Sequence, residues 1–270
     1  MRMARKSRIQ TTVTEHPREF AHPVFGSDGM LFGTSAVGGK YGHGGVYRLH
    51  PDTPDEAEAI TYYSGPRDEV GAIAGSGPSR LVPVGGELFG VTRYGGSKGG
   101  GTIFRISSEG RAETVHGLDD ASNGHHPMSL MLASDGWLWG GLEEGGAAGK
   151  GGVFRFHPGT LQYELLFSCS GPDDPIKSGF GCRRVFEARP GYFLFAAGGW
   201  EIGSRRAIFS FQGAGPTKLV HVFRELDAPG DVGDIRGFAT SADGKIYFVT
   251  ELGGENDIGT IQRLNLDGSP

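Results

Sequence analysis

The sequence predicts an all-β fold, a five-bladed β-propeller with four-stranded blades, and three observations carry that prediction. One phrase recurs along the chain. It reads Asp28-Gly29-Met30-Leu31-Phe32-Gly33, then Gly86-Glu87-Leu88-Phe89-Gly90, then Asp135-Gly136-Trp137-Leu138-Trp139-Gly140, with weaker copies at Gly191-Tyr192-Phe193-Leu194-Phe195 and Asp243-Gly244-Lys245-Ile246-Tyr247-Phe248. The aligned glycines stand 57, 50, 55 and 53 residues apart, a period typical of propeller blades when it holds only strand-sized runs. Each copy does divide into such runs, rich in aromatic and β-branched residues and too short for ordinary helices. Finally, the two ends complement each other. The last copy lacks a fourth strand, and the strand-patterned run Ile9-Gln10-Thr11-Thr12-Val13-Thr14 precedes the first copy without a place in it. Residues 9–14 are therefore expected to complete the fifth blade and remove an exposed edge.

Labelled A to D, the runs fall at 20–25, 30–35, 46–49 and 59–63 in the first copy. They fall at 80–84, 87–92, 102–106 and 112–116 in the second, and at 129–133, 137–142, 153–156 and 163–167 in the third. The fourth has 184–188, 192–197, 207–211 and 219–223, and the fifth 237–240, 245–250 and 260–264. Asp-Gly between A and B marks a tight hairpin, where glycine accepts a positive φ. Gly33, Gly90 and Gly140, each just after the strand-B aromatic, predict a close approach of neighbouring sheets. The pairs Gly38-Gly39, Gly95-Gly96, Gly145-Gly146 and Gly253-Gly254 fall in the B–C connections. Arg48, Arg105, Arg155 and Arg263 recur on strand C with the blades, which marks scaffold ion pairs or snorkelling stems and not a site. Residues 1–8 are expected to form a flexible basic arm and residues 9–270 a single propeller domain.

Composition narrows the function classes. The 49 glycines among 270 residues far exceed the usual share, but they recur at fixed places between apolar runs, which is turn punctuation and not low complexity. The net charge of −5, from 31 acidic and 26 basic residues, creates no field for nucleic acid or an anionic membrane surface. No apolar stretch reaches the roughly 18 residues that span a bilayer, and the basic start lacks the apolar core of a secretory signal. A cytoplasmic location is the expectation. Cys169 and Cys182 are then read as free thiols, with a local disulfide as the alternative.

The full pattern is Asp-Gly-x-Leu-Tyr/Phe-Gly-Thr, then Gly-Gly, then Gly-Thr-Val/Ile-Phe-Arg, then a strand ending in Phe. It resembles the GloVer tandem repeat over about residues 15–268 and is most specific in the first three copies. The resemblance implies a propeller-type array of the kind found in bacterial, often exported, proteins. It implies no particular reaction. The fourth copy departs from the pattern, with Trp200-Glu201 at the Gly-Gly place and Ser210 at the arginine position.

Chemistry is expected where the D–A and B–C connections emerge at one face, because loops on a rigid scaffold commonly carry function. Arg18, Arg80, Arg183, Arg184 and Arg236 gather at the starts of strand A, and converging guanidinium groups suit a carboxylate or phosphate. Acidic neighbours such as Asp68, Asp119 and Asp234 offer the competing reading, solvated ion pairs. The B–C connections add Tyr41, His43, Tyr94, Glu143, Glu144 and Trp200; Tyr94 and Trp200 suit stacking on a sugar ring. His125-His126 is the one adjacent histidine pair and supplies groups that titrate near neutrality. In extended chain the two rings should point apart. No cofactor is implied, and no spacing among His43, His125 and His126 demands a metal.

The expected function is a ligand-binding propeller that holds a polar, anionic small molecule or saccharide at the mouth of a central channel, with Arg18, Arg80, Arg183, Arg184, Arg236, Tyr41, His43 and Trp200 as binding residues. The alternatives are a lyase, hydrolase or cyclase using His125, His126, Tyr94 and Glu143 at that place, and a scaffold for a protein partner.

Overall fold

The computed structural model describes residues 18–20, 23–53, 57–65, 75–118, 123–147, 149–169, 181–198, 206–213, 215–223, 235–251, 253–254 and 258–264. Residues 9–14, the expected closing strand, lie outside them, as do residues 1–8. The described residues contain strands and turns but no helix, so no helix long and apolar enough to cross a membrane occurs among them. The chain divides into two units, residues 1–119 and 120–270.

Unit 1 holds two antiparallel sheets. The first comprises β1 (Arg18–Phe20), β2 (Val24–Phe25), β3 (Leu31–Val37), β4 (Gly45–Leu49) and β5 (Glu58–Tyr62) in the order β1-β3-β4-β5, with β2 also paired to β3. The second repeats this plan with β6 (Ser76–Pro78), β7 (Val82–Val84), β8 (Glu87–Tyr94), β9 (Thr102–Ile106) and β10 (Ala112–Gly117). Phe32, Tyr63, Leu81, Leu88, Phe104 and Ile106 form the core between them. Tyr63 is fully buried there, and desolvation holds its phenol well above the usual tyrosine range.

Unit 2 starts with a third copy of the plan: β11 (His125–Pro127), β12 (Met131–Leu132), β13 (Leu138–Glu144), β14 (Gly152–Phe156) and β15 (Tyr163–Ser168). A four-stranded sheet follows, β16 (Cys182–Arg189), β17 (Tyr192–Ala197), β18 (Ala207–Gln212) and β19 (Lys218–Val222). Then come β20 (Ile235–Thr240), β21 (Ile246–Thr250) and β22 (Ile261–Leu264), a sheet of three strands among the described residues. Trp139 stacks on Phe193 with ring centroids 4.2 Å apart, and Phe195 and Phe211 extend the same core. The Trp139 indole N–H donates to Asp135 at 3.2 Å, so the repeated Asp-Gly turn also satisfies the polar end of a buried ring.

The expected strands are present, with local corrections. In the first three sheets strand A is longer than predicted and broken into two pieces, β1/β2, β6/β7 and β11/β12. Pro78 and Pro127 end the first pieces of the second and third, since proline offers no N–H to continue the ladder. A serine bridges each of these breaks: Ser79 Oγ accepts from Val91 N–H at 3.2 Å and Ser129 Oγ from Gly141 N–H at 3.3 Å. Gly90 and Gly140 do not mark an approach of neighbouring sheets. A Cβ there would strike the rings of Phe104 and Phe154, at 2.4 and 2.3 Å, on the adjacent strand of the same sheet, and at Gly33 nothing lies within 4 Å. The close approach between sheets is one residue later, where a Cβ on Gly141 would lie 2.0 Å from the Cys182 carbonyl oxygen.

Three of the strand-C arginines have the expected scaffold role: Arg48 faces Glu58 at 2.6 Å, Arg155 faces Glu164 at 2.7 Å, and Arg105 pairs with Glu113. Each such exposed pair is worth at most about 1 kcal/mol. The cysteines are not free thiols. Cys169, just past β15, and Cys182, opening β16, are both buried and joined by a disulfide, with Cα atoms 6.0 Å apart. Successive sheets hand the chain from a last strand to a first strand, and this brings the two side chains together.

The crosslink closes a short loop, so Cys169→Ser with Cys182→Ser should lower unfolding free energy by about 2–3 kcal/mol. Urea titrations of both proteins, with thiol counting on the denatured wild type, check this; a wild type with two reactive thiols would contradict the pairing.

Candidate functional site

The structure gathers predicted residues at one place in unit 2, where β11 meets the end of β13. Register sets His125 opposite Glu144 and Pro127 opposite Leu142. Adjacent residues of an extended strand point to opposite faces, yet His125 and His126 do not diverge. His126 has φ +56, in the left-handed region, and this turns its ring back beside that of His125. The two rings meet edge to face with centroids 5.0 Å apart. Both Nδ1 atoms face Glu144, His125 at 3.7 Å from Oε2 and His126 at 3.6 Å from Oε1. All three side chains are partly exposed.

The approach to this cluster is anchored. Tyr163 O–H donates to the Asn123 carbonyl at 2.6 Å, and burial pushes the Tyr163 phenol above its ordinary range, so it stays a donor. Gly124 packs so closely that a Cβ would lie 2.4 Å from the Leu142 side chain. Met128 N–H donates to the Gly141 carbonyl at 2.9 Å beyond the histidines. After Glu144, Ala147 N–H donates to Ser168 Oγ at 2.8 Å. The histidines and the carboxylate therefore stand on backbone held from both sides.

Glu143, predicted as catalytic, points to the other face of β13. It is buried and forms an ion pair with Arg183 at 3.6 Å; their side chains are only 7 and 9 % exposed. Arg183 occupies the bulge that interrupts β16 between Cys182 and Arg184. Arg236 occupies the corresponding bulge of β20, between Ile235 and Gly237, and pairs with Glu251 of β21's end. Arg184 donates from Nε to the Ile235 carbonyl at 3.1 Å. Three of the five predicted anion-binding arginines thus make contacts within their own unit.

In unit 1, Arg80 is exposed, and Tyr94 lies at the exposed end of β8 beneath the Arg93 guanidinium, 5.1 Å from its ring. The Tyr41 ring is covered by Lys40 Nζ at 4.9 Å, and the His43 ring rests against Gly65. Arg18 lies on β1, paired in register with Val37; its side chain and the whole of Trp200 fall outside the described residues. Sequence reasoning named Glu144 only as a member of its loop. Its pairing partner across the ladder, and hence its facing of the histidines, needed the register. A separate cavity of about 570 Å³, lined among others by Arg189, Tyr192, Ser210, Gln212, Lys218 and Leu219, contains none of the predicted residues.

Because Glu143 and Arg183 form a buried ion pair, Glu143→Leu and Arg183→Met should each destabilise the fold by about 1–3 kcal/mol. Glu143→Leu with Arg183→Met should recover most of that loss. Chemical denaturation of the wild type, the two single variants and the double variant tests the coupling, and additive effects of the two single changes would refute it.

No curated protein matches the chain in sequence. Among solved structures it is similar to a gluconolactonase from Xanthomonas campestris, at 13 % identity and TM-score 0.52, over 92 % of this chain and 73 % of that one. A candidate gluconolactonase is similar at 14 % identity and TM-score 0.52, over 97 % of this chain and 78 % of the other. The extracellular domain of the hybrid two-component system BT4673 from B. thetaiotaomicron is similar at 10 % identity and TM-score 0.51, over 98 % of this chain and 34 % of that chain. At these identities the likeness concerns the fold alone, an all-β, propeller-like succession of antiparallel sheets. The recurring Asp-Gly hairpins and glycine loops agree with a family model that matches residues 5–180, and the chain belongs to the Gloeobacter/Verrucomicrobia repeat family.

Proposed function

We propose that the protein is a five-bladed propeller that binds a polar small molecule of the saccharide or sugar-lactone class beside His125, His126 and Glu144. The observation that carries this reading is the convergence of two imidazoles and a carboxylate at a partly exposed sheet end, held by the Tyr163 and Gly124 contacts. Such a group offers donors and acceptors for hydroxyl and carbonyl oxygens. The similarity in fold to a gluconolactonase supports including lactones in the ligand class. Arg183, Arg184 and Arg236 make contacts within their own unit, so the expectation of an anion shifts toward an uncharged polar ring.

A second reading, hydrolysis of such a lactone, is favoured by the same cluster. An imidazole near a carboxylate is suited to move a proton to or from a reacting oxygen near neutral pH.

A thermal-shift panel of aldonolactones, neutral sugars, uronates and phosphates tests binding. A ligand at one hundred times its Kd should stabilise the fold by about 2.7 kcal/mol, and Glu144→Gln should abolish the shift. If no member of the panel moves the melting temperature, or Glu144→Gln responds like wild type, the reading fails.

The closed wheel has its own support. Among the described residues β22 has one strand partner, β21, and Ile261 on it is 77 % exposed. An exposed edge carrying apolar residues is a liability that a further strand removes, and residues 9–14 have the pattern for it. Deleting residues 1–14 should lower the melting temperature by several degrees and promote self-association, whereas deleting residues 1–8 should do neither. Identical behaviour of the two truncations would rule out closure by this strand.

A further inference from the structure

We propose that His125, His126 and Glu144 bind a divalent transition-metal ion, of the zinc type, through their two Nδ1 atoms and the carboxylate. The site goes beyond the ligand reading and stands on donor geometry alone. One potential ligand atom from each side chain lies within 4.8 Å of the others. Tetrahedral zinc holds nitrogen and oxygen ligands at about 2.0–2.2 Å, which sets two ligands of one ion about 3.4 Å apart. The Nδ1-to-carboxylate distances, 3.7 Å from His125 to Oε2 and 3.6 Å from His126 to Oε1, are close to that spacing.

A second observation is independent of these distances. The strand start that carries His126 repeats one in unit 1. Ser76 pairs with Tyr94 and Pro78 with Thr92, as His125 pairs with Glu144 and Pro127 with Leu142. The residue between is Gly77, with φ +64, in the place of His126, with φ +56. The backbone plan of this strand start therefore adopts the left-handed conformation in both repeats, and one of them meets it with glycine, which tolerates it. The third repeat instead carries a histidine there, in a conformation that disfavours a residue with a Cβ. The imidazole is partly exposed and faces the other histidine and Glu144. A side chain retained against its own backbone preference, and aimed at two further donors, fits metal ligation.

The donor set selects the metal. Imidazole nitrogen suits zinc, copper, nickel and iron, whereas magnesium and calcium require oxygen cages. Three protein ligands leave at least one position of a tetrahedral ion for water or a ligand oxygen, the arrangement of open sites and not of closed structural ones.

The test is a titration of the tag-free, chelator-dialysed protein with zinc chloride, in competition with a chromophoric chelator and without any organic ligand. About one equivalent should bind per chain, with excess magnesium or calcium failing to displace it. Cobalt should give visible bands that zinc bleaches. Glu144→Gln and His126→Gly should each weaken binding at least about 10-fold. His126→Gly is chosen because glycine suits the φ at this position, so it should melt no lower than wild type, and lost affinity cannot be ascribed to unfolding. Substoichiometric zinc, unchanged affinity in His126→Gly and Glu144→Gln, or displacement by calcium would each overturn the site. A failed sugar panel with intact zinc binding would refute the ligand reading only.

Discussion

The structure depends on one backbone hydrogen bond that four repeats share. At the B–C connection, the N–H of Gly44, Gly101, Gly151 and Gly259 donates to the carbonyl of Gly38, Gly95, Gly145 and Gly253, at 2.8, 2.8, 2.9 and 3.1 Å. This closure sets the loop length and with it the register of strands B and C in those repeats. Ser35 faces Gly45, Thr92 faces Thr102 and Leu142 faces Gly152, always ten residues apart. The geometry tolerates no side chain at the closing position. A Cβ on Gly151 would stand 2.1 Å from the Leu142 carbonyl oxygen, and its φ of +84 belongs to glycine. Since a slip of one residue would turn every strand-B side chain to the opposite face, these glycines decide which residues meet the core and which meet the start of strand A.

That register explains why neighbouring glutamates have unlike roles. Glu143 turns toward the following sheet and meets Arg183 in a buried pair, while Glu144 turns toward the strand start that carries the two histidines. The exposed Arg–Glu pairs between β4 and β5, β9 and β10, and β14 and β15 contribute little individually. They fall at the same ladder position in each copy, which suits a device that favours one register over another. Among the described residues, the exposed Arg–Glu pairs of strands C and D recur with the fold, whereas the buried Glu143–Arg183 pair belongs to a single junction.

The repeat was legible because each of its parts has a local cause. Asp28-Gly29 and Asp135-Gly136 form turns in which the aspartate side chain accepts from the second residue on, each at 3.0 Å, and the glycine carries a positive φ. The glycine pairs and the apolar run holding Leu138, Trp139 and Leu142 are likewise properties of short segments. The breaks in strand A were less visible, since a strand-sized apolar run such as 129–133 gives no sign of the short piece that precedes it. The pairing of Cys169 with Cys182 depended on how one sheet leads into the next, which spacing along the chain does not express.

For the candidate site the division is sharper. The amino-acid order alone established that this is a glycine-punctuated, all-β repeat chain and that His125-His126 is its one adjacent histidine pair, because turn chemistry and strand length are local matters. Tertiary structure decided that the two imidazoles converge, that Glu144 and not Glu143 faces them, and that Arg183, Arg184 and Arg236 meet partners of their own unit. Each of those outcomes follows from a single backbone dihedral or from a ladder register, and such quantities are fixed by contacts between segments far apart in the chain.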